Sequence, residues 1–216
     1  MSQDKWNKAF MAYFGNRKRK LKGSARTLKK MIHIDRLDKS SRILELFCGR
    51  GELLEVLAGW EFNNIFGLDI SKELFENSKL KSRIVVGNSV NLSFKSDCFD
   101  AVIINEGLHH LNCFSDIDAQ LKEIGRVLMN RSLFVFCEPR NSLFRKIGFR
   151  LVFSPLSKLF KRIEACRLIF EEEMQTYTNW INNENKIYSL LIKNGFVIKN
   201  IRKSPLHIFV ECTLNK

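Results

Sequence analysis

The chain predicts an α/β fold: a doubly wound, mostly parallel seven-stranded sheet with helices on both faces and a helical insertion after strand five. Three observations predict it. Short apolar runs alternate with helix-period segments from Arg42 onward, a glycine turn follows the first run, and an acidic residue closes the second. Apolar runs of this length are buried strands. Strands that alternate with helices build parallel β-α-β units.

The elements follow in order. Residues 4–14 read as a short amphipathic helix carrying Trp6, Phe10, Tyr13 and Phe14, ended by Gly15. Arg17-Lys18-Arg19-Lys20 opens a second helical stretch that runs to about Ile34. Residues 1–41 are therefore a basic helical extension ahead of a domain spanning 42–216. Ile43-Leu44-Glu45-Leu46-Phe47 is the first strand, Cys48-Gly49-Arg50-Gly51 the glycine turn, and Glu52 to Ala58 a helix with Leu53, Leu54 and Leu57 on one face. Ile65 to Asp69 is the second strand. Ser71 then caps a helix expected to reach Leu80. Further strands are expected at Arg83–Val86, Asp100–Asn105 and Leu133–Cys137, with a helix over Asp116–Leu128 before the last. After Glu138-Pro139 the alternation stops, and residues 141–182 form the helical insertion. A helix near Lys186–Lys193, a C-cap at Gly195, and closing strands near Phe196–Arg202 and Leu206–Thr213 complete the domain.

Composition narrows the class. The 216 residues are enough for one sizeable core. No stretch approaches the ~20 apolar residues of a membrane span, and Asp4, Lys5 and Lys8 interrupt any secretory apolar region, which reads as a cytoplasmic protein. The six cysteines are scattered without a C-x-x-C pair, so no metal site is expected. The formal charge is +13 and unevenly placed. Residues 1–42 hold thirteen Lys/Arg against three Asp/Glu, 43–138 hold nine against fourteen, and 139–216 hold fourteen against six. Two basic flanks around a mildly acidic centre are suited to an anionic surface, or are simply solvated.

The first strand-to-helix turn is where a ligand belongs, because open parallel sheets bind ligands at the carboxyl ends of their strands. Gly49 and Gly51 permit a tight turn and close approach. Asp69 is placed to accept hydrogen bonds from both hydroxyls of a ribose. Dinucleotide sites share these two features, but Leu54 occupies the third glycine position of their fingerprint and is too large for it. Glu45, inside the first strand, suits the ammonium of an amino acid, a group that NAD lacks.

These residues resemble the class I S-adenosylmethionine-dependent methyltransferases, in particular their broad small-molecule branch with a Rossmann-like fold. The resemblance covers 42–138 and, more loosely, 186–213. Ile43–Gly51 resembles the family's acidic-x-x-x-Gly-x-Gly motif, and Phe66-Gly67-Leu68-Asp69-Ile70-Ser71 the segment whose acid holds ribose. Val86-Gly87-Asn88-Ser89 and Leu92-Ser93-Phe94 resemble the adenine-contacting segment. Phe99-Asp100-Ala101-Val102, Leu108-His109-His110-Leu111, Glu123–Leu128 and Gly195-Phe196 resemble later motifs of the family. The resemblance implies S-adenosyl-L-methionine as cofactor, held by Glu45, Phe47, Gly49, Gly51, Asp69, Ile70, Asn88, Ser89 and Asn105.

Four positions depart from the family. Phe47 stands where the first glycine belongs and is expected to crowd the turn. Asn88 replaces an aspartate, though its amide oxygen can still accept the adenine amino hydrogen. Arg50 replaces a small residue, and Met129-Asn130-Arg131-Ser132 replaces a proline–glycine turn, with Asn130 expected to bend the chain.

A sulfonium methyl is already activated, so alignment supplies much of the rate, roughly 7–11 kcal/mol. His109 and His110 are the candidate catalytic bases, since imidazole titrates near neutrality. Glu138 is a candidate for the acceptor wall, or for pairing with an arginine. In the insertion, Leu156, Leu159, Phe160 and Ile163 follow helical spacing with Lys158, Lys161 and Arg162 between them. Such a pattern suits either an ordinary lid that buries its apolar face against the core, or a lid over a hydrophobic or lipid-like acceptor with peripheral contact to an anionic membrane. Two further readings stay open: an RNA methyltransferase, motivated by the charge, and a cofactor-binding regulatory protein without turnover. Against RNA, Asn105-Glu106-Gly107-Leu108 lacks the Asn/Asp-Pro-Pro-aromatic element of base-amino methylation, and no RNA-binding module is visible.

Overall fold

A computed structural model describes residues 3–15, 17–31, 37–111 and 113–216, with the side chains of 3–6, 14, 17–19 and 156 outside that description. The expectations for Trp6, Phe14, the side chains of Arg17, Lys18 and Arg19, residues 32–34, and the Leu156 side chain therefore lie outside the described residues.

Seven strands form one sheet in the order β3-β2-β1-β4-β5-β7-β6. They are β1 (Arg42–Leu46), β2 (Asn64–Asp69), β3 (Ile84–Val86), β4 (Phe99–Asn105), β5 (Leu128–Pro139), β6 (Phe196–Lys203) and β7 (His207–Leu214). The pairs among β1 to β5 are parallel, and β7 runs antiparallel to both β5 and β6. The strand order reverses between β1 and β4, which opens a crevice at their carboxyl ends.

The helices are α1 (Gln3–Phe14), α2 (Arg17–Met31), α3 (Glu52–Gly59), α4 (Lys72–Phe75), α5 (Phe114–Val127), α6 (Leu143–Val152), α7 (Lys161–Ile181) and α8 (Glu184–Lys193). Strand residues point alternately to the two faces of a sheet, and here both faces are apolar. Leu44, Leu46, Val102, Ile104, Phe134 and Phe136 face the α5 and α8 layer, with Leu121, Ile124, Ile187 and Leu191. Ile43, Ala101, Ile103, Val135 and Cys137 face the α2 and α3 layer, with Leu28, Met31, Leu53, Leu54 and Leu57. The apolar run Ala101–Ile104 in β4 is fully buried because it has a layer on each side. Leu28 and Met31 of α2 are buried as well, so the basic extension contributes to the main core.

Three expected elements differ. The helix after Ser71 is one turn long rather than reaching Leu80. The Ser71 amide donates to Asp69 Oδ1 at 2.9 Å, and Leu74 and Phe75 bury early, after which the chain turns through Ser78. Strand β5 begins at Leu128, five residues early. Arg131, not Asn130, takes the left-handed conformation (φ 60°), and the register shifts between Phe99 and Ala101. The helical spacing expected across Leu159 and Ile163 is broken, because a short 3-10 turn over Pro155–Leu159 ends before α7 begins at Lys161.

Candidate active site

The β1–α3 turn is built by backbone conformations that side chains rarely adopt. Phe47, Gly49 and Gly51 all have positive φ, 56°, 51° and 76°. A β-carbon on Gly51 would lie 3.1 Å from Ile84 and 3.2 Å from Ser78 Oγ, so no larger residue fits. Leu54 fits against the sheet because Gly67 of β2 supplies the missing space. A β-carbon there would lie 2.8 Å from Leu54 and from Cys48 Sγ.

Phe47 does not crowd the turn as the sequence suggested. Its ring lies over Gly107, where a β-carbon would meet it at 2.4 Å, and its centroid is 6.2 Å from that of His110. Arg50 is accommodated by folding down to a buried ion pair with Glu52, and its Nη1 reaches Met11 of α1.

One cavity of about 810 Å³ begins at this turn and continues to the insertion. Glu45, Phe47, Gly49, Asp69, Ile70, Asn88, Ser89 and Asn105 line it, and Gly51 lies behind the turn. The Gly49 amide donates to Asp69 Oδ2 at 2.7 Å, which fixes the carboxylate at the β2 end. Asn88 Oδ1 accepts from Val90 N at 3.1 Å in a local turn, and Asn88 is exposed at the rim. Ile70 is 68% exposed there, an apolar surface fit for the face of a base. Phe10, Tyr13, Ser24 and Thr27 of α1 and α2 also line the cavity, a contribution the sequence reading did not assign.

The best test of the cofactor is Glu45. It is buried, and its Oε2 has no hydrogen-bond partner among the described residues. Burial, then the carboxylates of Glu52 and Asp69, push its carboxyl well above the usual range. An orphaned acid of this kind is costly unless a cation meets it. An amino-acid ammonium supplies that cation, so the residues fit S-adenosylmethionine.

At the other end the cavity is lined by Glu106, His109, His110, Arg145, Phe170, Glu173, Tyr177 and His207. Glu138 is fully buried and organises this end. Its Oε1 accepts the Gly107 and Leu108 amides, both at 2.7 Å, and its Oε2 meets His109 Nδ1 at 2.7 Å. The partner of Glu138 is thus a histidine, not an arginine. Burial pushes His109 down, but Glu138 and then Glu173 outweigh it and hold the imidazole up at about 10. Glu138 and Glu173 thus favour the charged form of His109, which makes it the weaker of the two candidate bases. His110 moves the other way: burial and then the charge of His109 push it down. Its Nδ1 lies 3.5 Å from Glu173 Oε1.

Other pairings at this end were not legible in the sequence. Glu106, in the left-handed region at φ 58°, meets His207 Nε2 at 2.7 Å, and His207 holds its carboxyl low despite burial. Tyr177 of α7 is 1% exposed, and its hydroxyl is buried without a hydrogen-bond partner among the described residues. The acidic run Glu171-Glu172-Glu173 inside an otherwise basic insertion was the available signal for Glu173.

The comparisons agree with this geometry. Residues 44–136 match the family model described as a methyltransferase domain. An uncharacterized protein of Methanocaldococcus jannaschii is 30% identical over 140 residues, 63% of this chain and 59% of that protein. The chain thus spans less than two thirds of that relative. A demethylmenaquinone methyltransferase of Staphylococcus saprophyticus is 28% identical over 173 residues, 75% of this chain and 72% of that one. A crystal structure of a Pyrococcus horikoshii protein shares the fold, with a TM-score of 0.70 at 19% identity over 96% of this chain and 97% of that one. Fold, glycine turn and acidic anchors together define a methyltransferase domain that uses S-adenosylmethionine. These likenesses support a class I S-adenosylmethionine-dependent methyltransferase.

Proposed function

We propose that the protein transfers the methyl group of S-adenosylmethionine to a small, hydrophobic, lipid-like acceptor, with His110 as general base. The observation that carries the reading is the single cavity joining the Glu45 and Asp69 end to an end walled by Phe170 and Tyr177, with the histidine pair beside it. The demethylmenaquinone methyltransferase relative supports a hydrophobic acceptor class.

Glu45 holds the ammonium and Asp69 the ribose hydroxyls. Ile70, Asn88 and Ser89 border the base, and Asn105 borders the methionine end. The cofactor supplies an activated methyl group. His110, kept neutral by its surroundings, takes the proton of an acceptor hydroxyl as the new bond to carbon forms. His109 is a positioning residue: its fixed charge, held by Glu138, keeps the loop and lowers the proton affinity of His110. The buried Tyr177 hydroxyl is the donor offered to an acceptor oxygen.

The test is methyl transfer from labelled cofactor to a panel of apolar phenols and quinols, the reduced quinol form of demethylmenaquinone among them, with RNA in parallel. Transfer to an apolar acceptor is expected. His110→Ala should lower kcat by roughly 10²–10⁴-fold with cofactor affinity unchanged. An unaltered kcat would sink the base. Methyl incorporation into RNA alone would sink the acceptor class.

A further inference from the structure

The insertion carries an apolar surface that the fold leaves uncovered. Helix α6 has no buried residue at all. Leu143, Phe144, Ile147 and Leu151 are 70%, 64%, 47% and 62% exposed, and their spacing places them on one stripe of the helix. At the end of the 3-10 turn, Leu159 and Phe160 add two more side chains, 73% and 59% exposed. The opposite side of α6 is held by stacking: Phe149 lies 4.9 Å from Phe170 and 5.3 Å from Tyr177, ring centre to ring centre, edge to face. The helix is therefore anchored to α7 by aromatics while it presents aliphatic and aromatic residues outward. Soluble surfaces rarely leave such a run open unless something covers it.

Charge says what covers it. Residues 140–163 carry seven Lys/Arg and no Asp/Glu. Lys146 and Arg150 follow the exposed stripe at helical spacing, and Lys158 and Lys161 flank Leu159 and Phe160. We propose that α6 and the following turn dock on an anionic lipid surface, with the apolar stripe inserted among acyl chains and the cations at the headgroups. Basic residues beside exposed Leu, Ile and Phe are what an interfacial helix requires, and long cationic side chains reach back to the headgroups while their stems stay apolar. A second copy does not suit this face, since a symmetric contact would set the same cations against one another. RNA would use the cations and leave the stripe wet.

The placement also bears on the reaction. Arg145 of α6 and Arg162 at the start of α7 line the same cavity as His110 and Tyr177. Docking through α6 sets the acceptor end of the cavity against the bilayer, so a hydrophobic acceptor enters without crossing water. This last step rests on the acceptor class proposed above; the docking itself does not.

Co-sedimentation with vesicles tests the docking with no acceptor present. Purified full-length protein is offered vesicles containing about one third anionic phospholipid, vesicles of phosphatidylcholine alone, and a duplex RNA. Binding to anionic vesicles and little binding to phosphatidylcholine are expected. A cation near such a surface multiplies affinity about fivefold, so Lys146→Gln with Arg150→Gln should weaken binding roughly 25-fold. Phe144→Glu with Leu151→Glu should abolish it. Calorimetric titration with S-adenosylmethionine, unchanged in both variants, reports that they are folded. Three outcomes overturn the proposal: wild type that stays in the supernatant with anionic vesicles, Phe144→Glu/Leu151→Glu protein that sediments like wild type, or RNA binding that is stronger than vesicle binding and indifferent to Phe144→Glu/Leu151→Glu. If vesicles bind but no apolar acceptor is methylated, the docking stands and the acceptor class falls.

Discussion

His109 and His110 are sequence neighbours with the same ordinary pKa, near 6.5, and their surroundings drive them apart. Glu138 and Glu173 hold His109 up at about 10, and His110 is pushed down. The raised histidine has a stability consequence. Its folded pKa exceeds its unfolded one, so its contribution is complete below about 6.5 and is lost as pH rises through about 10. Denaturant unfolding of wild type and Glu138→Gln, compared between those two pH values, should show a decline in wild type that is shallower in the variant. Parallel curves would mean that His109 is not charged in the folded state. The lowered histidine sets the rate profile. The acid limb of kcat should fall below the ordinary histidine value, because His110 resists protonation while His109 is charged.

At the scale of elements, two glycines explain two residues that depart from familiar patterns. Leu54 in α3 is tolerated by Gly67 in β2, and Phe47 after β1 is tolerated by Gly107 after β4. Each pair lies far apart in sequence and in contact in space, so neither is readable along the chain. Gly107→Ala should destabilise the fold by about 1–3 kcal/mol, the usual cost of overpacking. Adding Phe47→Gly, which removes the ring and frees the positive φ, should recover most of that loss. Thermal or urea unfolding of the two single variants and the double variant measures this coupling. Additive changes would show that the ring does not occupy the space over Gly107.

At the scale of the whole molecule, the cofactor site is a local cost that binding offsets. Glu45 is buried among Glu52 and Asp69 with one oxygen unpartnered among the described residues. Glu45→Gln should therefore raise the melting temperature of the cofactor-free protein while it weakens S-adenosylmethionine. Losing a hydrogen bond to a charged group costs about 1.5–3 kcal/mol, which is roughly 10- to 150-fold in affinity. Differential scanning fluorimetry with and without cofactor reads both signs at once, since a ligand that binds only the folded state raises apparent stability. A variant that is destabilised when empty would show that Glu45 is already paired within the protein. The roof of the site belongs to this scale too. Phe10, Tyr13, Ser24 and Thr27 come from the N-terminal helices, and Glu173 and Tyr177 from the insertion, so the cavity closes only when both of these segments fold over the sheet.

The sequence by itself determined the sheet class, the glycine turn, the acids at Glu45 and Asp69, and the position of the histidine pair after β4. Those features are local: hydrophobic period, glycine conformation and strand ends are written in consecutive residues. Only the tertiary structure decided that the two histidines are driven apart, that Glu138 receives two amides and an imidazole, that the Phe47 ring packs over Gly107, and that α6 faces outward uncovered. A pKa depends on which groups meet in space, and the exposure of an amphipathic helix depends on which of its faces the core takes. In α6 the Phe149 ring went inward against Phe170 and Tyr177, and the stripe that periodicity alone would have buried was left exposed.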